Sequence, residues 1–128
     1  MQHGERQVSP SIDGIQFDHV ARYRWAARQI PPSSSVIDFA CGVGYGSRIL
    51  SVSGRGHRVR GFDIDAEAIS YAKVNYPHEN TIFHICDGNV PGDLGEANAA
   101  VCFETIEHIE DPRPLLKALH KSASLLLA

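Results

Sequence analysis

The apolar positions change their period several times along the chain, and each change marks an element. Residues 15–29, IQFDHVARYRWAARQ, carry apolar or aromatic groups at 15, 17, 20, 23, 26 and 27. That spacing gathers them on one side of a helix. Pro31-Pro32 ends it. Val36–Ala40 is a short apolar run between a serine cluster and a group of glycines, the pattern of a buried strand. Residues 46–53 predict a second helix, stopped by Gly54-Arg55-Gly56. His57–Phe62 reads as a second strand. Asp65 is placed as an N-cap, with Ala66, Ile69, Ala72 and Tyr76 following at helical spacing until Pro77. Thr81–Cys86 is a third strand, Gly88–Gly95 a loop and Ala99–Phe103 a fourth strand. Asp111 with Pro112 predicts an N-cap followed by a proline in the first helical position. Leu115, Leu116 and Leu119 supply that helix's buried stripe, and Ser124–Ala128 begins a fifth strand.

Strands and helices alternate throughout, so the expected class is α/β, with a mostly parallel sheet and helices on both faces. Residues 1–14 are polar, mostly without period, and read as a flexible N-terminal arm; residues 15–128 form the core. The chain stops inside an apolar run. The fifth strand is therefore expected to be cut short, leaving an open sheet edge and Leu125-Leu126-Leu127 for an oligomer or partner to cover.

Composition narrows the class further. With 128 residues, 43% hydrophobic and 21% charged, the chain has material for one core and is no candidate for disorder. A net charge of −3 disfavours nucleic acid as the main partner. The cysteines at 41, 86 and 102 fit no paired metal motif and suit a reducing compartment. No apolar run is long enough for a membrane helix, and the N-terminus lacks a signal-peptide core, so a cytoplasmic location is expected.

Parallel α/β sheets bind ligands beyond the carboxyl ends of their strands. The first strand is followed by Cys41-Gly42-Val43-Gly44-Tyr45-Gly46-Ser47. Glycines let a ligand lie against bare peptide, and the following helix aims free N–H groups at it. A side chain at Gly44 is expected to intrude where a cofactor lies. The second strand leads to Asp63, 19 residues beyond Gly44, whose carboxylate suits two ribose hydroxyls. Asp87 follows the third strand and Glu104-Thr105-Ile106-Glu107-His108 the fourth. A dinucleotide fingerprint starting at Gly42 needs glycine at 47, where serine stands. Asp38 beside the loop would repel a pyrophosphate and suit a cofactor with an ammonium group. Both features disfavour an NAD-dependent oxidoreductase.

VIDFACGVGYGS (36–47), GFDID (61–65), ICDG (85–88) and VCFETIEHIEDP (101–112) resemble, in order and spacing, the motifs of class I S-adenosylmethionine-dependent methyltransferases. The resemblance implies a Rossmann-like three-layer core missing its final strands. It also implies methyl transfer from S-adenosylmethionine to a small-molecule acceptor, with a non-catalytic or truncated cofactor-binding protein as the alternative. By the same resemblance Gly42, Gly44 and Gly46 hold the methionine part, and Asp38 its amino group, usually through water. Asp63 with Ile64 takes the ribose side, Asp87 with Gly88 the adenine, and Phe103 and Glu104 line the wall. His19 and Tyr23 belong to a helix that closes over the cofactor in similar proteins.

Glu104, Glu107 and His108 share one side of a turn at offsets i, i+3 and i+4. They are candidate ligands for a divalent ion such as magnesium, an arrangement similar to that of ubiquinone-pathway O-methyltransferases. His108 is alternatively a general base. The basic stretch Arg48, Arg55, Arg58 and Arg60 reads as a solvated face, and His57, His78 and His120 carry no assigned role.

Overall fold

A computed structural model describes residues 9–15, 17–103, 105–106 and 109–128. Glu104, Glu107 and His108 lie outside the described residues, so the metal and base expectations rest on sequence alone. In chain order the elements are α1 (Phe17–Gln29), β1 (Ser35–Phe39), α2 (Tyr45–Ser51), β2 (Arg58–Asp63), α3 (Ala66–Asn75), β3 (Thr81–Ile85), β4 (Ala97–Val101), α4 (Arg113–Ser122) and β5 (Ala123–Leu127). A short 3-10 turn, Ile12–Gly14, precedes them.

The described strands form one sheet in the order β3-β2-β1-β4-β5, and every neighbouring pair is parallel. The order reverses at β1, which pairs with β2 on one side and β4 on the other. Asp38 sits at that centre, opposite Gly61 of β2 and Val101 of β4. Period-two alternation divides the strand residues between two faces. Val36, Val59, Ala99 and Val101 pack under α1 and α2, against Val20, Tyr23, Ala27 and Leu50. Phe83 packs with Ile69 and Ala72 of α3 and with Tyr76, which caps that helix. Ile37, Phe39, Phe62 and Ala100 face the other way, against Leu115 and Leu119 of α4 and Leu94 of the loop before β4.

Several expected boundaries shift. Strand four begins at Ala97 and ends at Val101, because Ala97 pairs with Ala123 of β5. Phe103 therefore lies beyond the strand, in the connection that follows. The fifth strand is a full five-residue partner of β4, and Cys102 N–H donates to Leu127 O at 2.9 Å. Pro112, not Asp111, occupies the N-cap of α4 and offers no side-chain cap. Asp111 acts one step earlier, its Oδ1 accepting from Arg113 N–H at 3.1 Å. Asp65 caps α3 as expected, accepting from the N–H groups of Glu67 and Ala68.

Of the basic stretch Arg58 is exposed, as a solvated face implies, whereas the other three arginines are half-buried and hold carbonyls. Arg48 donates to Pro77 O, Arg55 to Ile30 O, and Arg60 to both Leu94 O and Glu96 O. These carbonyls end helices or belong to loops, where no backbone donor reaches them, and a guanidinium has donors to spare. Part of the expected N-terminal arm is also in contact with the core. Ile12 packs against it, and the Tyr76 hydroxyl donates to Ser9 O at 2.6 Å.

Candidate functional site

The loop between β1 and α2 is built from left-handed residues. Ala40, Gly42 and Gly44 all have positive φ, at 63°, 57° and 100°. Only glycine takes this region without cost, so Ala40 holds a strained conformation at the end of β1. The turn is closed by Cys41 N–H donating to Phe62 O and Gly44 N–H donating to Cys41 O.

Gly44 takes the positive φ that its place in the loop suggests, and packing gives a further reason for glycine there. A Cβ there would stand 2.7 Å from Cβ of Ala72 and 3.1 Å from Cζ of Phe83. It would strike α3 and β3, inside the core. A Cβ at Gly46 would overlap the Tyr23 ring. These two glycines let α1 and α3 close on the loop.

Asp63 ends β2 and is 5% exposed. Its Oδ2 accepts from Gly42 N–H at 2.8 Å and its Oδ1 from Asp65 N–H at 2.9 Å. The acid after strand two is thus fastened to the glycine loop after strand one. Ile64 beside it is 60% exposed. Asp87, partly exposed after β3, accepts from the Asn89 N–H and side-chain amide, which closes its own turn. Gly88 faces inward, where a Cβ would meet Phe39 and Ile109.

Asp38 is placed differently. It is fully buried beneath α1 and α2, its Oδ1 accepting from the Tyr23 hydroxyl at 3.0 Å and its Oδ2 from the Ser47 hydroxyl at 2.8 Å. Burial pushes its carboxyl up to about 7; the hydroxyls of Ser47 and Tyr23 oppose that rise, and the nearby Asp63 charge adds to it. The Tyr23 phenol is held well above its ordinary value, first by burial and then by Asp38.

Aromatic rings surround this carboxylate. Tyr23 meets Tyr45 and Phe103 edge to face, at centroid distances of 5.8 and 5.2 Å. Arg22 stands over the Phe103 ring, and His19 Nδ1 lies 3.0 Å from the Tyr45 hydroxyl. The expected residues therefore form two groups. Gly42 and Asp63 are joined beyond the carboxyl ends of β1 and β2, whereas Tyr23, Asp38 and Phe103 make a cluster under α1. Sequence reasoning missed Tyr45 and the bond from Ser47 to Asp38. Serine at 47 registered only as a departure from a dinucleotide motif. Among the described residues no group of three His, Cys, Asp or Glu side chains is disposed to hold a metal ion. No described helix is long and apolar enough to cross a membrane.

Residues 15–126 match a family model described as a methyltransferase domain. The chain belongs to that methyltransferase-domain family. Solved structures agree with the fold. A TehB-like SAM-dependent methyltransferase from Corynebacterium glutamicum is 26% identical, with a TM-score of 0.68 over 80% of this chain and 55% of that one. A SAM-dependent methyltransferase from Geobacter sulfurreducens, in complex with S-adenosylhomocysteine, matches 93% of this chain and 47% of its own at 17% identity and a TM-score of 0.68. Coclaurine N-methyltransferase bound to N-methylheliamine and S-adenosylhomocysteine gives 0.71 over 94% and 38%, at 20% identity. This methyltransferase domain thus spans about half the length of the solved structures it matches. Curated protein sequences contain no match.

Proposed function

We propose that the chain is the S-adenosylmethionine-binding core of an enzyme that methylates a small molecule. The observation carrying this reading is the bond from Gly42 N–H to Asp63 Oδ2. It joins the glycine loop and the acid that a nucleoside cofactor would use together, within a chain of the methyltransferase-domain family.

The donor set fits such a cofactor. Asp63 is a carboxylate at the end of β2 beside the glycine loop, the kind of group and the place that would accept ribose hydroxyls. Ile64 adds an exposed apolar side chain next to it, and Asp87 with Gly88 would face the adenine. Asp38 would answer the ammonium end from behind the loop. When bound, the cofactor supplies an electrophilic methyl group on a sulfonium. This chain's residues contribute by fixing donor and acceptor in line, the main source of rate in such a transfer. His108 is proposed to take the acceptor's proton where the acceptor carries one. No step is assigned to a divalent ion. The small-molecule class draws support from coclaurine N-methyltransferase, whose structure holds N-methylheliamine.

Titration calorimetry with S-adenosylhomocysteine and with NAD tests the reading. Binding of the first and not the second is expected. Binding of NAD alone would overturn it.

A further inference from the structure

Asp38 is a buried carboxylate that accepts from two neutral hydroxyls, those of Tyr23 and Ser47. The groups facing it come from every element packed around it. Tyr23 comes from α1, Ser47 from α2 and Asp63 from β2, while Val101 on β4 is apolar; Tyr45 and Cys41 act on Tyr23 rather than on Asp38. Arg22 on α1 has its guanidinium carbon 5.7 Å from the Phe103 ring centroid. Among the described residues the charged group that acts on Asp38 is another carboxylate, Asp63. Such a site is short of positive charge, and a buried carboxylate in that position holds its proton until a cation arrives.

We propose that Tyr23, together with Ser47, is a positioning residue that keeps Asp38 ready to ionise, so that binding of a ligand with an ammonium group releases one proton from Asp38 to solvent. The proposal rests on the reading of the cofactor as S-adenosylmethionine and assigns its ammonium end a condition. The Tyr23 ring makes the same residue a structural wedge, since it fills the space over Gly46 and packs on Tyr45 and Phe103. Docking of α1 and ionisation of Asp38 are thereby linked through one side chain. The hydroxyl does the electrical part. Its hydrogen bond favours the charged carboxylate, which is why removing it should make the proton harder to release.

The test uses the whole chain and two probes that share the adenosine part. S-adenosylhomocysteine carries the ammonium group and 5′-methylthioadenosine does not. Calorimetry in buffers of different ionisation enthalpy counts protons released. Near about pH 6 S-adenosylhomocysteine should release close to one proton, falling toward zero by about pH 8, and methylthioadenosine should release none. Tyr23→Phe keeps the ring and removes the hydroxyl. It should move the midpoint of this release upward and weaken S-adenosylhomocysteine binding at neutral pH by up to about tenfold for each unit of the move. Ser47→Ala should act in the same direction, and Asp38→Asn should abolish the release.

A Tyr23→Phe protein with lower thermal stability but the parent's pH profile would reduce Tyr23 to a structural role and overturn the proposal. Equal proton release with both probes would overturn it too. Failure of the parent to bind either probe would instead strike the cofactor reading, and the Asp38 carboxyl can then be followed directly. Its carbon NMR titration should move upward in Tyr23→Phe without any ligand. An unchanged titration would overturn the proposal on its own.

Discussion

Gly42 N–H and Asp63 Oδ2 are 2.8 Å apart, and this bond joins residues 21 positions distant in sequence across the two central connections of the sheet. On the proposed reading Asp63 would serve the fold and the ligand with the same carboxylate. Asp63→Ala is expected to weaken S-adenosylhomocysteine by about 2 kcal/mol, the size of hydrogen bonds to a charged group. It should also lower the unfolding midpoint, because two N–H groups lose their acceptor. Asp63→Asn separates the two losses. It keeps one acceptor oxygen, so stability should recover further than affinity. Calorimetry and urea unfolding on both variants check this. Parent-like affinity in Asp63→Ala would remove the ribose assignment.

Gly44→Val is expected to damage the fold. The added atoms would strike Ala72 and Phe83, and the residue would have to keep φ at 100°. Overpacking and left-handed strain together should cost about 3 kcal/mol or more. A substituted protein that unfolds at the parent's urea midpoint would contradict the packing argument.

Ala40 offers the opposite case. With φ at 63° it holds a conformation that favours glycine. Ala40→Gly should leave stability unchanged or raise it by up to about 1 kcal/mol, the strain relieved less the extra freedom of the unfolded chain. Ala40→Val should lose stability. Chemical denaturation of the pair reads the difference, and a clear loss in Ala40→Gly would show that its methyl group matters more than its backbone angle.

Asp38 gives the ligand-free protein a pH dependence of definite sign. Its folded value of about 7 lies above the ordinary 3.8, so the native state holds a proton there that the unfolded chain has released. That contribution is fully present below about pH 4 and is lost as pH rises toward 7, by up to about 1.4 kcal/mol per unit. Asp38→Asn should flatten that slope in urea unfolding at a series of pH values. An unchanged slope would place the titration elsewhere.

Glu104, Glu107 and His108 are tested by chelation. If His108 is the base, turnover on an accepted substrate should survive EDTA, fall in His108→Ala and follow a titration near neutrality. Loss of turnover in EDTA, with recovery on adding magnesium, would assign the three residues to a metal instead.

The order of strands and helices was legible from the sequence because it depends on local pattern. Strand runs such as VIDFA and TIFHI are short and apolar, proline and glycine mark their ends, and Asp65 caps the helix it precedes. The candidate edge was legible for the same reason, since parallel topology places every strand's carboxyl end on one side. What required the tertiary structure was the direction in which each side chain points and the company it finds there. Asp38 and Asp63 look alike in sequence, each an acid in or at the end of a strand, yet one is sealed beneath Tyr23 and Ser47 and the other is tied to the loop. His57 carried no signal, and it is fully buried with Nε2 3.0 Å from Ala27 O. Arg60 looked like surface charge and clamps two loop carbonyls. Hydrophobic period records which face of an element is inside. It carries no information about which residues from distant elements meet there, because those meetings are fixed only when helices close on the sheet and each buried polar atom must find a partner.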